Sequence, residues 1–158
     1  METTLAFYRM VVLYWIQKPN EGGVDMKNRW GHLLLPVAAL VLESLPYGAV
    51  CNFANPEGLP WRRTYSYFDL TPFGYANFAP FLTAVFTCVA IALLLVYLFV
   101  GTRLWAGIAK KFLTVAFALS LCPLVLGIEY YSIVGLLITL CLCAEAVWLS
   151  VVIKREKE

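Results

Sequence analysis

Residues 78–100 read FAPFLTAVFTCVAIALLLVYLFV, and this stretch decides the fold. It contains no Asp, Glu, Lys or Arg and exceeds the roughly 20 apolar residues that a helix needs to cross the hydrocarbon of a bilayer. Three further runs, 33–50, 112–128 and 132–153, reach or exceed the short limit of about 17 residues. Backbone polar groups in hydrocarbon must pair within their own segment, so the runs are expected as helices. They are continuous and do not alternate, which excludes an outer-membrane barrel. The whole composition agrees: the 158 residues are 61% hydrophobic and 14% charged, against roughly 45–50% and about 25% in soluble domains. The expected fold is an all-α membrane protein, a four-transmembrane-helix bundle.

The prolines refine the helices. Pro36 and Pro80 are expected in the opening turns of the first two, where a missing N–H costs little. Pro123 lies inside the third run and predicts a kink. The short link between the third and fourth runs makes those two antiparallel neighbours. Rows of small residues, Ala84, Cys88 and Ala92 in the second run and Ala116 and Ser120 in the third, are expected to allow close helix approach.

Basic residues set the orientation, because loops rich in Lys and Arg stay cytoplasmic. Lys27, Arg29, Arg103, Lys110, Lys111, Lys154, Arg155 and Lys157 fall on one side of the four runs, and only Arg62 and Arg63 on the other. Both termini are therefore expected in the cytoplasm and loop 51–77 outside. Trp30 and Trp105 at the inner boundary, with Tyr47, Tyr130 and Tyr131 at the outer one, fit the aromatic belts of an interface.

Residues 1–25 admit two readings as an N-terminal extension. Their apolar part, 5–16, is too short to span and carries Arg9, which leaves a helix lying in the membrane surface. Alternatively the start is mis-assigned: Met26-Lys27-Asn28-Arg29 before an apolar run is how a small membrane protein begins, and codons for Glu21-Gly22-Gly23 can contain a bacterial ribosome-binding sequence. The first run is expected to stay as an anchor rather than be cleaved, since Glu43 interrupts it and Val50, not a small residue, precedes Cys51.

The outer loop, 51–77, is short, aromatic and hairpin-like. Asn55-Pro56-Glu57-Gly58 matches a type I turn position by position. Residues 61–69 put Thr64 and Ser66 on one face and Tyr65 and Tyr67 on the other, the period of a strand, and Pro60 keeps its pairing with 51–54 short. Two uses are open for its eight aromatics: a cap over the helix ends, or a surface for a protein partner anchored by Trp61, Arg62 and Tyr65.

Glu43 and Glu145 are the residues a membrane interior explains least. No Lys or Arg falls in any run, and a charged carboxylate near the bilayer centre costs on the order of 2.5–3.5 kcal/mol, which favours the neutral acid. Both are candidate proton-binding groups. Counting helical rise puts them within about 6 Å of one depth, close enough to share a proton if their helices touch. The other reading has each as a protonated donor holding helices together.

Other chemistry lacks a motif. The five cysteines include no CxxC, and Cys141 and Cys143 point roughly 200° apart on a helix, so buried small hydrophobes are expected, with a Cys51–Cys88 bridge conceivable across different depths. His32 is the single histidine and has no clustered ligands around it, so no metal site is expected. No nucleotide, hydrolase or zincin signature occurs. No catalytic residue, cofactor or nucleic-acid role is assigned.

The block LPYGAVCNFANPEG at 45–58, continuing through Trp61-Arg62-Arg63 and FDLTPFGY at 68–75, resembles one in uncharacterised small four-helix membrane proteins of Gram-positive bacteria. The resemblance implies a bacterial plasma (inner) membrane and brings no function with it. The chain is also similar, more weakly, to small multidrug resistance exporters, which have four helices and a proton-binding Glu in the first, here Glu43. The 27-residue outer loop and Glu145 depart from that pattern. The expected role is a non-enzymatic accessory or interaction subunit; the alternative is a proton-coupled transporter, acting as a homo-oligomer, with Glu43 and Glu145 as its protonation sites.

Overall fold

The computed structural model describes residues 26–54, 58, 61–70 and 78–155, with side chains from Trp30 onward. Segment 1–25, most of the Asn55–Gly58 turn, Pro60 and segment 71–77 lie outside the described residues. In chain order the elements are α1 (Met26–Ser44), β1 (Ala49–Phe53), β2 (Trp61–Tyr65), α2 (Ala79–Val100), α3 (Arg103–Ser120), the short α4 (Cys122–Leu126), a 3-10 turn (Ile128–Tyr130) and α5 (Ile133–Arg155). Three helical stretches are long and apolar enough to cross a membrane: Ala79–Val100, Arg103–Leu126 and Ile133–Arg155.

The run 33–50 is not one helix. α1 ends at Ser44, its apolar part Trp30–Ser44 is shorter than the other three, and the last residues of the run form β1. Pro46 is the reason, because it lacks an N–H and disfavours helical geometry at Leu45 before it. The Leu45 N–H closes a tight last turn onto Leu42 O at 3.2 Å, and the Glu43 carbonyl accepts from the Tyr67 N–H at 2.9 Å. At its other end α1 begins at Met26, so Pro36 lies inside the helix rather than in its first turn. The His32 carbonyl therefore receives no bond from position 36.

α3 also departs from expectation by starting at Arg103, nine positions before the apolar run. Its buried face is Ala106, Ala109, Leu113, Ala116 and Ser120. The exposed Arg103 and Lys111 leave that stripe intact, so a helix forms where the basic residues suggest a loop. Only Gly101 and Thr102 connect α2 to α3, and Gly101 takes the left-handed φ of 72° that ends α2, its N–H on Tyr97 O. The kink expected at Pro123 is a break at Leu121, with Pro123 in the first turn of α4. In a continuous helix its ring would meet the Leu119 carbonyl.

α1 packs on α2 and α5, and α3 packs on the same two helices, which closes a ring of four. The inward stripes alternate steps of three and four: His32, Pro36, Ala39, Glu43 on α1; Thr83, Thr87, Ala90, Leu94, Tyr97 on α2; Gly135, Ile138, Leu142, Glu145, Leu149 on α5. That average of about 3.5 residues keeps one seam against neighbouring helices. A strict four-residue step drifts about 40° each time, so the small-residue row on α2 divides: Ala84 is buried, Cys88 and Ala92 are exposed. Ala116 and Ser120 both face inward. Outside lie Leu34, Val41, Phe99, Val125 and Ile133, while His32, Glu43, Thr83, Thr87, Ser120, Thr139 and Glu145 are buried. This inverts the polarity of a water-soluble domain, as contact with lipid requires.

The hairpin caps one end of the ring. β1 and β2 pair antiparallel from Ala49 opposite Tyr65 to Phe53 opposite Trp61. β2 stops at Tyr65 rather than reaching Asp69, because Ser66 turns the chain: its side chain accepts the Phe68 N–H and its carbonyl the Asp69 N–H, each at 3.2 Å. Tyr67 thereby leaves the strand alternation and is buried.

Candidate functional site

Glu145 meets a partner 113 positions earlier in the chain. The inward stripes of α1 and α5 bring His32 Nδ1 to 2.7 Å from Glu145 Oε1, with both side chains inaccessible to solvent. The Trp148 ring, one turn along α5, lies against the imidazole with centroids 4.5 Å apart. Gly31 makes this possible, since a Cβ there would stand 3.0 Å from Trp148 Cη2. The second carboxylate oxygen, Oε2, has no hydrogen-bond partner among the described residues.

Glu43 occupies a separate site. It is the penultimate residue of α1, near the hairpin, and not near the middle of a helix as the run 33–50 suggests. It lies eleven positions beyond His32 on the same face, about 16 Å of helical rise, so the two carboxylates have different partners and do not share one cavity. Glu43 Oε1 is 2.9 Å from Thr87 Oγ1, which is also 2.9 Å from the Thr83 carbonyl. A hydroxyl has one proton, and the carbonyl only accepts. A neutral Glu43 that donates to Thr87 satisfies both contacts, whereas an ionised one leaves two acceptors facing each other. Glu43 Oε2 is also unpartnered among the described residues.

Above Glu43, hydroxyls join the hairpin to the helix ends. Tyr131 bonds Thr139, which donates to Ser120 Oγ at 2.9 Å, which donates to Phe117 O at 2.7 Å. Ser132 Oγ donates to Gly48 O at 2.7 Å. Tyr67 fills the space between, over Gly48, where a Cβ would lie 2.9 Å from the ring. Burial, with Tyr131 and Glu43 close by, raises the Tyr67 phenol above its ordinary value.

On the hairpin, Trp61 and Arg62 are exposed and Tyr65 is half-buried. The three do not share a face. Side chains alternate along a strand, so Trp61, Arg63 and Tyr65 point one way and Arg62 and Thr64 the other. Arg63, which sequence reasoning left out, shares the face of Trp61, with its guanidinium 4.0 Å over the Trp61 ring. Tyr65 meets Phe53 edge-on at 6.5 Å.

The cysteines among the described residues are all free, Cys51 and Cys88 included, so no bridge joins these two. Burial raises the Cys51 thiol, and Asp69 adds to the effect. Among the described residues no three His, Cys, Asp or Glu gather as metal ligands. No family model, curated protein or solved structure matches this chain.

Proposed function

We propose that this chain crosses a bacterial plasma membrane four times, with both termini cytoplasmic, and serves as a non-enzymatic interaction subunit that binds a protein partner through the hairpin. The fourth crossing is α1, whose outward Leu34, Val37 and Val41 continue the apolar exterior of the ring. One observation carries the partner reading: Trp61 and Arg63 stand together, exposed, on one face of a strand anchored to the bundle. Trp and Arg supply binding energy at interfaces more often than other types. The test is site-specific photo-crosslinking in membranes from position 65, on the Trp61 face, with Trp61→Ala, Arg63→Ala and, on the opposite face, Arg62→Ala. Loss of one adduct in the first two variants and its retention in the third is expected. An unchanged adduct pattern in all three refutes the reading.

The buried carboxylates favour a second reading, a proton-coupled transporter acting as a homo-oligomer. Each of Glu43 and Glu145 keeps an unpartnered oxygen among the described residues, and intramembrane carboxylates mark proton paths in transporters. Liposomes with an imposed pH gradient test it: absence of any flux, or flux unaltered by Glu43→Gln and Glu145→Gln, sinks it.

A further inference from the structure

We infer that His32 and Glu145 together form a proton-binding site inside the helix bundle, taking up one proton from water and holding it between imidazole and carboxylate. This deepens the transport reading at Glu145, and it stands even if no solute is carried.

Charge counting makes the pair a site rather than a tie between helices. A neutral imidazole beside a carboxylate carries one net negative charge. Adding a proton brings the pair to zero, whether the proton sits on the ring or on the carboxyl, and it leaves no other product. In a medium of low dielectric the neutral pair is favoured over the net charge. The pair is well placed to exchange that proton, because Glu145 Oε2 is buried and has no partner among the described residues. A lone pair there accepts a proton or an arriving water without breaking the 2.7 Å contact made by Oε1.

The surroundings give the site a cover and some freedom. Trp148 packs against the imidazole and is itself partly exposed, so it stands between the pair and the bundle exterior. Pro36 removes the N–H that would hold the His32 carbonyl, which loosens α1 at the residue that binds the proton. Other titratable or charged groups on the elements packed here are Lys27, Arg29 and Glu43 on α1; Cys88 and Tyr97 on α2; Arg103, Lys110 and Lys111 on α3; and Cys141, Cys143, Lys154 and Arg155 on α5.

A sequence with one histidine permits a direct test. The full chain is labelled with 15N-histidine and 13C-glutamate, the Glu145 signal being assigned by its loss in Glu145→Gln. It is placed in lipid bilayers and titrated by solid-state NMR from about pH 4.5 to about 9.5, a range that runs from the ordinary carboxyl value past that of imidazole. As the pH falls the pair is expected to gain one proton, read as a change at the ring nitrogens or at the Glu145 carboxyl carbon, and Glu145→Gln is expected to alter the response of the ring. Ring nitrogens and a Glu145 carboxyl carbon that both stay unchanged across the range in the wild-type protein overturn the inference, and that arm needs no variant to fold. A transition with the same midpoint in Glu145→Gln also overturns it. The spectra read binding and not flux, so liposomes that carry nothing refute transport alone.

Discussion

Replacing Thr87 by Val tests the reading of Glu43 as a neutral donor. Valine keeps the branched shape and removes the oxygen that faces Glu43 Oε1 at 2.9 Å. The Thr83 carbonyl still has its helical N–H partner, so the loss falls on Glu43, whose Oε2 already lacks a partner among the described residues. Leaving a buried polar group unsatisfied costs about 1–3 kcal/mol in soluble proteins, and interhelical hydrogen bonds in membranes average about 0.6 with a maximum of about 1.7. We expect about 1 kcal/mol, roughly a fivefold shift in the folding equilibrium. Glu43→Gln keeps an N–H directed at Thr87 and is expected to cost about half as much or less. In a Glu43→Leu background, Thr87→Val should cost almost nothing, so the cycle isolates the pair. Reversible unfolding in mixed lipid and detergent micelles, followed by circular dichroism as SDS is increased, measures the wild type and all four variants. A Thr87→Val curve that overlays the wild type, or a Glu43→Gln that costs more than Thr87→Val, refutes the assignment.

Other expectations follow from packing and burial. Leu113 is fully buried where α3 meets its neighbours, so Leu113→Ala should lose about 2–5 kcal/mol in the same unfolding assay, whereas Leu124→Ala, on the exposed side of α4, should change stability by about 0.5 kcal/mol or less. Gly48→Ala puts a methyl 2.9 Å from the Tyr67 ring and should destabilise by about 1–3 kcal/mol; Tyr67→Leu in the same chain is expected to restore part of it, and independent costs would count against the contact. Thiolate is the form that reacts with a water-soluble maleimide, and burial raises the Cys51 thiol above 9.0. Labelling of Cys51 in a variant whose other cysteines are serine should therefore be slow near neutral pH and accelerate only as the pH climbs past that value. Rapid labelling at neutral pH would show the site open.

Local rules account for most of what sequence reading captured. α2 and α5 fall where hydropathy places them, because a long, predominantly apolar run has no conformation but a helix in lipid. The hairpin is legible from the alternation of Trp61 to Tyr65. α1 and α3 are less so, since one proline, Pro46, outweighs several apolar neighbours, and Lys110 and Lys111 hide a helix whose buried face is made of small residues. Glu43 and Glu145 stand out as unpaired charges in apolar runs, but His32 does not, because it precedes the run in which its partner was sought.

The amino-acid sequence alone determined that this protein is mostly helix with an apolar exterior, that its aromatic loop is hairpin-like, and that two carboxylates lie among apolar residues. These depend on runs and alternations within short windows. Only the tertiary structure decided which face of each helix turns inward, because nearly every face is apolar and the pattern holds no contrast to read. It brought His32 to Glu145 across 113 positions, separated Glu43 from both, and set Arg63 over Trp61. Such pairings arise from helix ends, register and packing between distant segments, and no window along the chain contains them.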